Sequence, residues 1–268
     1  MEVASGGRRF LVQHGEAHLS VVNATEVQAF QRDGFVGPYR AFSESTAAHF
    51  RDMIEREVLT ADGPDPKSRL QSRHLDSPTV YALCSAPPVV DRVVPLLGPD
   101  LILWRSNFFE KTARSSALAW HRDSRHWRTL LVPMINVSAW LAIDAATRDN
   151  GCVRLLPGSH NEEYRANTND PKFVDASSVD ETRAVDLELK PGEFFLFSSE
   201  VLHASPENTS GVRRLGLAIR FTVPNVRVDH DAILPNHRCM LLCGRDSYGY
   251  NRLTAAPAVQ RTSGAQLA

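Results

Sequence analysis

The spacing of apolar residues changes near residue 100. Before that point it is helical: Ala47, Phe50, Ile54 and Val58 recur three or four apart behind Ser43, whose hydroxyl can cap the first turn of a helix from Glu44 to Leu59. Thr25, with Gln28 three residues on, reads as another cap, opening a short helix Glu26 to Arg32 that Asp33-Gly34 stops. Phe35-Val36-Gly37-Pro38-Tyr39 follows as a short extended segment. Residues 60–80 are dense in turn formers and predict a surface loop. A third helix, Pro87 to Leu97, ends at Gly98-Pro99. These helices are expected to pack outside the main sheet.

From Leu101 the apolar runs shorten to strand length. The strands predicted are Leu101–Lys111, Ala117–His121, Ile135–Ile143, Cys152–Leu156, Ala184–Leu189, Phe194–Phe197 and Leu215–Val223. Asn150-Gly151 is a hairpin signal before the fourth, and Lys190-Pro191-Gly192-Glu193 is a turn before the sixth, whose continuation carries His203. Short strands after a helical preface predict a mainly β protein: a double-stranded β-helix barrel of the jelly-roll or cupin type with flanking N-terminal α-helices. The expected division is a flexible arm at 1–22, one domain at 23–253 and a disordered tail at 254–268. Within that domain a helical preface occupies 23–100, the barrel about 101–225 and an extension 226–253. The polar insertion 160–180 is long for a loop in a compact domain and is open to two readings, a lid over the substrate or a disordered loop.

Composition removes several function classes. With 268 residues and 43% hydrophobic content, the chain can bury one sizeable core. A formal net charge of −1 offers no basic field for nucleic acid. No apolar run is long enough for a membrane span and no signal-peptide core is present, so a cytoplasmic protein is expected. Cys84, Cys152, Cys239 and Cys243 are too few and scattered for a disulfide framework. His230, His237, Cys239 and Cys243 cluster near the C-terminus, but their spacing matches no metal motif. Oligomeric state is open.

The chemistry concentrates at Trp120-His121-Arg122-Asp123. On an extended strand His121 and Asp123 point to the same side, as two prongs for a divalent metal. His203 offers a third, completing a set of two histidines and one carboxylate suited to non-haem Fe(II) and oxygen. An arginine opens the strand after His203, where a guanidinium could take a dicarboxylate. On Leu101–Lys111, Arg105, Asn107, Phe109 and Lys111 share one face, and Trp104, Ser106, Phe108 and Glu110 the other. Arg122, Arg125 and Arg128 with Trp127 would line the mouth and suit an anionic or planar small molecule.

Three segments together resemble the phytanoyl-CoA dioxygenase family of Fe(II)- and 2-oxoglutarate-dependent oxygenases: Trp120-His121-Arg122-Asp123, Asn150 to His160, and His203-Ala204-Ser205 with Asn208, Ser210 and Arg214. The resemblance runs from Thr25 to about Arg220 and implies Fe(II), 2-oxoglutarate and O2, with His121, Asp123 and His203 as iron ligands. It implies that Arg214 pairs with the distal carboxylate of 2-oxoglutarate, assisted by Ser205. Arg213 is expected to point away. Trp140, Lys111 and Asn107 fall where the family has cosubstrate contacts, and Arg105 where it has substrate or cosubstrate contacts. Related halogenases carry a small residue in place of Asp123, so hydroxylation is expected, with desaturation, epoxidation and ring closure open to the same chemistry. Two other classes are a cupin-like Zn or Mn enzyme and a non-catalytic ligand-binding relative. Neither uses a dicarboxylate partner for Arg214 and Ser205 together with an intact triad.

Overall fold

The computed structural model describes residues 24–170 and 172–258; the predicted arm at 1–22 and the tail beyond 258 lie outside them. Helix α1 (Ala24–Asp33) leads into strand β1 (Phe35–Arg40), then α2 (Glu44–Glu57), α3 (Pro78–Cys84) and α4 (Pro87–Leu97). The strands that follow are β2 (Leu101–Lys111), β3 (Leu118–His121), β4 (Leu131–Val132), β5 (Val137–Ala142), β6 (Val153–Leu155), β7 (Val185–Leu187), β8 (Glu193–Ser198), β9 (His203–Ser205), β10 (Arg214–Thr222), β11 (Arg227–Val228) and β12 (Met240–Cys243). Short helices α5 (Ser124–Trp127) and α6 (His230–Ile233) interrupt them.

Two sheets carry the architecture. One has six strands in the order β1-β8-β5-β10-β2-β12, the other four in the order β3-β9-β6-β7, and all pairings are antiparallel. Alternation along each strand sorts the side chains. On β8, Phe195 and Phe197 turn inward to join Trp140, Val153, Leu155, Leu187 and Ala218 between the sheets. Phe194 and Leu196 turn outward into a larger core with Ile54, Val80, Leu83, Val89 and Val93 from α2, α3 and α4. The result is a jelly roll with helices plastered on one outer face.

Several expectations need correction. Thr25 lies inside α1 rather than capping it, whereas Ser43 does cap α2, its hydroxyl accepting from Thr46 N at 3.2 Å. Residues 60–80 are not all loop: Arg73–Leu75 form a 3-10 turn, and Ser77 caps α3 where Pro78 opens it. The extended segment after α1 is an edge strand of the large sheet. Asn150-Gly151 closes no hairpin, because β5 and β6 belong to different sheets and the turn carries the chain across. Gly151 has φ +85°, and a Cβ there would stand 2.8 Å from Pro206 O. Among the described residues no single helix is long and apolar enough to cross a membrane.

Candidate metal centre

His121 and His203 are register partners on β3 and β9, with ring centroids 4.1 Å apart. His203 does not lie on a continuation of β8. The chain turns at 199–202 and changes sheets, and this turn delivers His203 opposite His121. Nor is Asp123 on a strand. Its backbone is already helical, with φ −58° and ψ −35° at the start of α5, so the period-two argument gave the right neighbours for the wrong reason. Ser124 N donates to Ser199 O at 3.0 Å and Ser124 Oγ to Glu200 Oε2 at 2.8 Å, tying α5 to the turn that places His203.

Each histidine is set up as a ligand by its other nitrogen. Nδ1 of His121 lies 2.8 Å from Ala119 O, and Nδ1 of His203 lies 3.1 Å from Val201 O. A carbonyl only accepts, so Nδ1 carries the proton and Nε2 presents a lone pair. Both Nε2 atoms turn toward Asp123 Oδ1, at 4.0 and 3.8 Å, and one donor atom from each residue lies within 4.8 Å of the others. Burial, reinforced by His203, pulls His121 down to about 4, keeping the imidazole neutral. Burial pushes the Asp123 carboxyl up, but His203, Arg220 and His121 together outweigh it and hold it below its ordinary range. Two imidazole nitrogens and a carboxylate facing one point make a donor set for a divalent cation.

The triad lines a cavity open to solvent, and Arg214 and Ser205 stand on the same lining. The Arg214 guanidinium lies 5.3 Å from the Trp140 ring centroid. Trp140 itself stacks on Phe195 and fills the space above Gly216, where a Cβ would come within 2.1 Å of the ring. Arg214 is buried, its Nε has no acceptor and no carboxylate pairs with it among the described residues. Burial pulls its pKa down to about 10. A buried guanidinium left this way fits an absent carboxylate. Arg213 faces the opposite side, bonded to Asp144 at 2.9 Å and to Glu55.

The other site residues read from the sequence are put to mixed uses. Lys111 Nζ donates to Ser116 O at 2.6 Å and Pro206 O at 2.7 Å, outside the cavity lining. Asn107 accepts from Arg220 Nη1 at 3.2 Å. Arg122 donates to Ser159 O and Glu162 O, both at 2.5 Å, so it braces the insertion. Arg125 donates to Phe173 O at 3.5 Å and Arg128 to Glu200 at 3.3 Å. Trp127 is buried edge-on against Trp104, 5.4 Å between centroids, so it belongs to the core and not to the mouth. Between Arg220 and Phe221 the β2 register slips by one residue, a bulge that turns Trp104 inward with Arg105. The expected assignment of Trp104 to the face of Ser106 and Phe108 therefore fails.

Two residues escaped the sequence reading. Arg220 lines the cavity and its Nη2 lies 3.9 Å from Asp123 Oδ2. The signal was there: it falls six residues after Arg214 on one strand, hence on the same face. Phe173, in the insertion, bridges to His121 on the edge of β3 and sets its ring 5.8 Å from the imidazole. No periodicity announces a contact of that kind.

A second group, His230, His237 and Cys239, is equally compact and fully buried. Its lone pairs are already used. Arg252 N donates to His230 Nε2 at 3.1 Å, so His230 carries its proton on Nδ1, which faces His237 Nδ1 at 2.9 Å. His237 Nε2 lies 2.8 Å from Trp104 O and must be the donor there, leaving Nδ1 to accept from His230.

The jelly roll with this triad at its mouth is the architecture of the Fe(II)- and 2-oxoglutarate-dependent oxygenases, which use O2. Within that class the chain belongs to the phytanoyl-CoA dioxygenase (PhyH) family, whose model matches residues 20–216. It is 32% identical over 111 residues to a phytanoyl-CoA dioxygenase domain-containing protein 1 homolog of Dictyostelium discoideum, covering 38% of this chain and 39% of that one. It is 24% identical over 166 residues to the ectoine dioxygenase of Bordetella bronchiseptica, covering 56% and 54%. The chain thus spans from about two fifths to a little over half of these curated relatives. The structure of CytC3 with Fe(II) and alpha-ketoglutarate superposes with a TM-score of 0.70 at 26% identity, over 88% of this chain and 94% of that one.

Proposed function

We propose that the protein is a 2-oxoglutarate-dependent dioxygenase that hydroxylates an unactivated C–H bond of a small metabolite. His121, Asp123 and His203 hold the iron, and Arg214 with Ser205 takes the distal carboxylate of 2-oxoglutarate. The observation that carries the reading is the buried Arg214, with no carboxylate partner among the described residues, on the lining of the same cavity as the triad. When bound, the iron with 2-oxoglutarate and O2 supplies the oxidation, one oxygen atom going to the substrate and the other to succinate formed with carbon dioxide.

The protein's own part is positional. The carbonyls behind His121 and His203 fix both ring tautomers, and Trp140 and Phe197 close the cavity to water on the side of the large sheet. Asp123 fills the position that a small residue would leave to a halide, which favours hydroxylation over halogenation. Succinate formation from 2-oxoglutarate, measured under air with Fe(II) in wild type and His121→Ala, tests the whole assignment. It is overturned if a broad substrate panel elicits no oxygen-dependent decarboxylation. Asp123→Gly with added chloride should trade hydroxylation for some halogenation, and halogenation by wild type would refute the role given to Asp123.

A further inference from the structure

Arg105 on β2 and Arg220 on β10 are register partners on the inner face of the large sheet. Like charges directly opposite one another are unfavourable even at a surface. Here Arg220 is buried and Arg105 half-buried. Their partners do not balance them. Arg105 donates to the neutral Gln71 amide at 2.6 Å and Arg220 to the neutral Asn107 amide at 3.2 Å. The Nε of each is buried without an acceptor. Asp123 is the one carboxylate in ion-pair range among the described residues, 3.9 Å from Arg220, and it faces the triad. Asp65 acts on Arg105 from further off and is itself occupied, accepting from Lys67 N at 2.9 Å.

With a metal dication and 2-oxoglutarate in place the imbalance persists. Asp123 and one cosubstrate carboxylate offset the metal, Arg214 offsets the other carboxylate, and two guanidiniums remain. A buried cation without a counter-charge is costly. Apolar surface adjoins them: Phe109 lies 5.7 Å beneath Arg220, and Phe109 and Leu118, each 39% exposed, both line the cavity of the triad.

We infer that Arg220, with Arg105 beside it in register and behind the cavity lining, forms an oxyanion subsite for the substrate: the molecule oxidised carries a carboxylate or phosphate held against the Arg220 guanidinium, with an apolar part against Phe109 and Leu118. The inference rests on the oxygenase reading and deepens it. Arg220 reaches the cavity lining, and the second positive charge of Arg105 directly opposite it adds to the attraction for an anion there. It also relocates the anionic preference expected from Arg122, Arg125 and Arg128 to the opposite wall.

The test uses anaerobic protein loaded with Fe(II) and 2-oxoglutarate, titrated calorimetrically with hexanoate, hexyl phosphate, hexanamide and hexan-1-ol. At least one anionic probe should bind about ten-fold or more tightly than the neutral ones, the better of the two identifying the group. Arg105→Gln and Arg220→Gln should each weaken that preference, and Arg105→Gln, which unlike Arg220 has no ion pair to Asp123, should leave 2-oxoglutarate affinity unchanged. Arg105→Gln should also leave the Tm of the ligand-free protein unchanged or raised, since it relieves a like-charge contact; a purely structural arginine would lower it. Absence of anion preference in wild type, its survival in both variants, or an Arg105→Gln variant that weakens 2-oxoglutarate instead would overturn the subsite. Failure of the oxygenase reading shows separately, as wild-type 2-oxoglutarate binding that is absent or indifferent to Arg214→Gln. The panel is then read on the metal-loaded protein alone.

Discussion

Two groups of three donors lie among the described residues, each compact enough to surround an ion, and they are built for opposite ends. At His121, Asp123 and His203 the spare nitrogens are tied to carbonyls behind the rings, so the lone pairs that remain turn toward a common centre. At His230, His237 and Cys239 the rings bond to each other, and the outer nitrogens meet one donor, Arg252 N, and one acceptor, Trp104 O. That chain is complete with both histidines neutral. A metal there would have to displace the His230 proton onto Nε2, against the Arg252 N–H. Proximity of ligand-type residues therefore says less than the destination of their second nitrogens. The first group is open to a ligand, and the second fastens the C-terminal extension to β2.

The sharpest way to break this contrast is metal content. Wild type should take up one equivalent of Fe(II), and His121→Ala should weaken uptake by well beyond the roughly 10–100-fold that loss of an outer-shell partner costs. His230→Ala should leave uptake unchanged. Two equivalents in wild type, measured by elemental analysis after desalting, would contradict the division of roles. Next in size is stability. His237→Ala strips a buried donor and acceptor from both neighbours and should cost about 2–4 kcal/mol in urea unfolding, with iron binding retained.

The smallest expected effect is with pH. Burial pulls His74 down to about 3, the neighbouring His237 adding to it, and burial pulls His237 to about 4 against its bond to Trp104 O. In the unfolded chain both return to about 6.5. Between about 6.5 and 4 the unfolded state binds protons that the folded state refuses, so stability falls as pH is lowered through that window. Above 7 these two groups contribute no slope. The Tm of the metal-free protein, measured between pH 7.5 and 4.5, should drop on the acid side; a flat profile would show that the pair is not held neutral.

The strands were legible because an apolar run of four to ten residues bounded by turns has few other uses, and seven were placed to within a residue or two at most ends. Ser43, Gly98 and the pair Arg213 and Arg214 were equally readable, since capping hydroxyls, a helix-ending glycine and strand alternation are local. The triad residues were nameable from their types and order. What local pattern could not supply was the crossing between sheets. The turn at 199–202 and the turn after β5 look like ordinary hairpin material in sequence, yet they shift the chain to another layer and so bring His203 to His121. Register was hidden too: the extra residue at Trp104 reverses the face of half of β2. Position directly after the triad's first two residues suggested the anion preference of Arg122, Arg125 and Arg128, because chain order does not show which charges are spent on nearby carbonyls and carboxylates.

The sequence by itself determined the kinds of elements and the donor types, since each depends on spacings within a few residues. Only the tertiary structure decided which lone pairs are free and which guanidiniums lack a partner. Those depend on atoms brought together from far apart in the chain, as when Arg220 meets Asn107, 113 residues away, and Asp123.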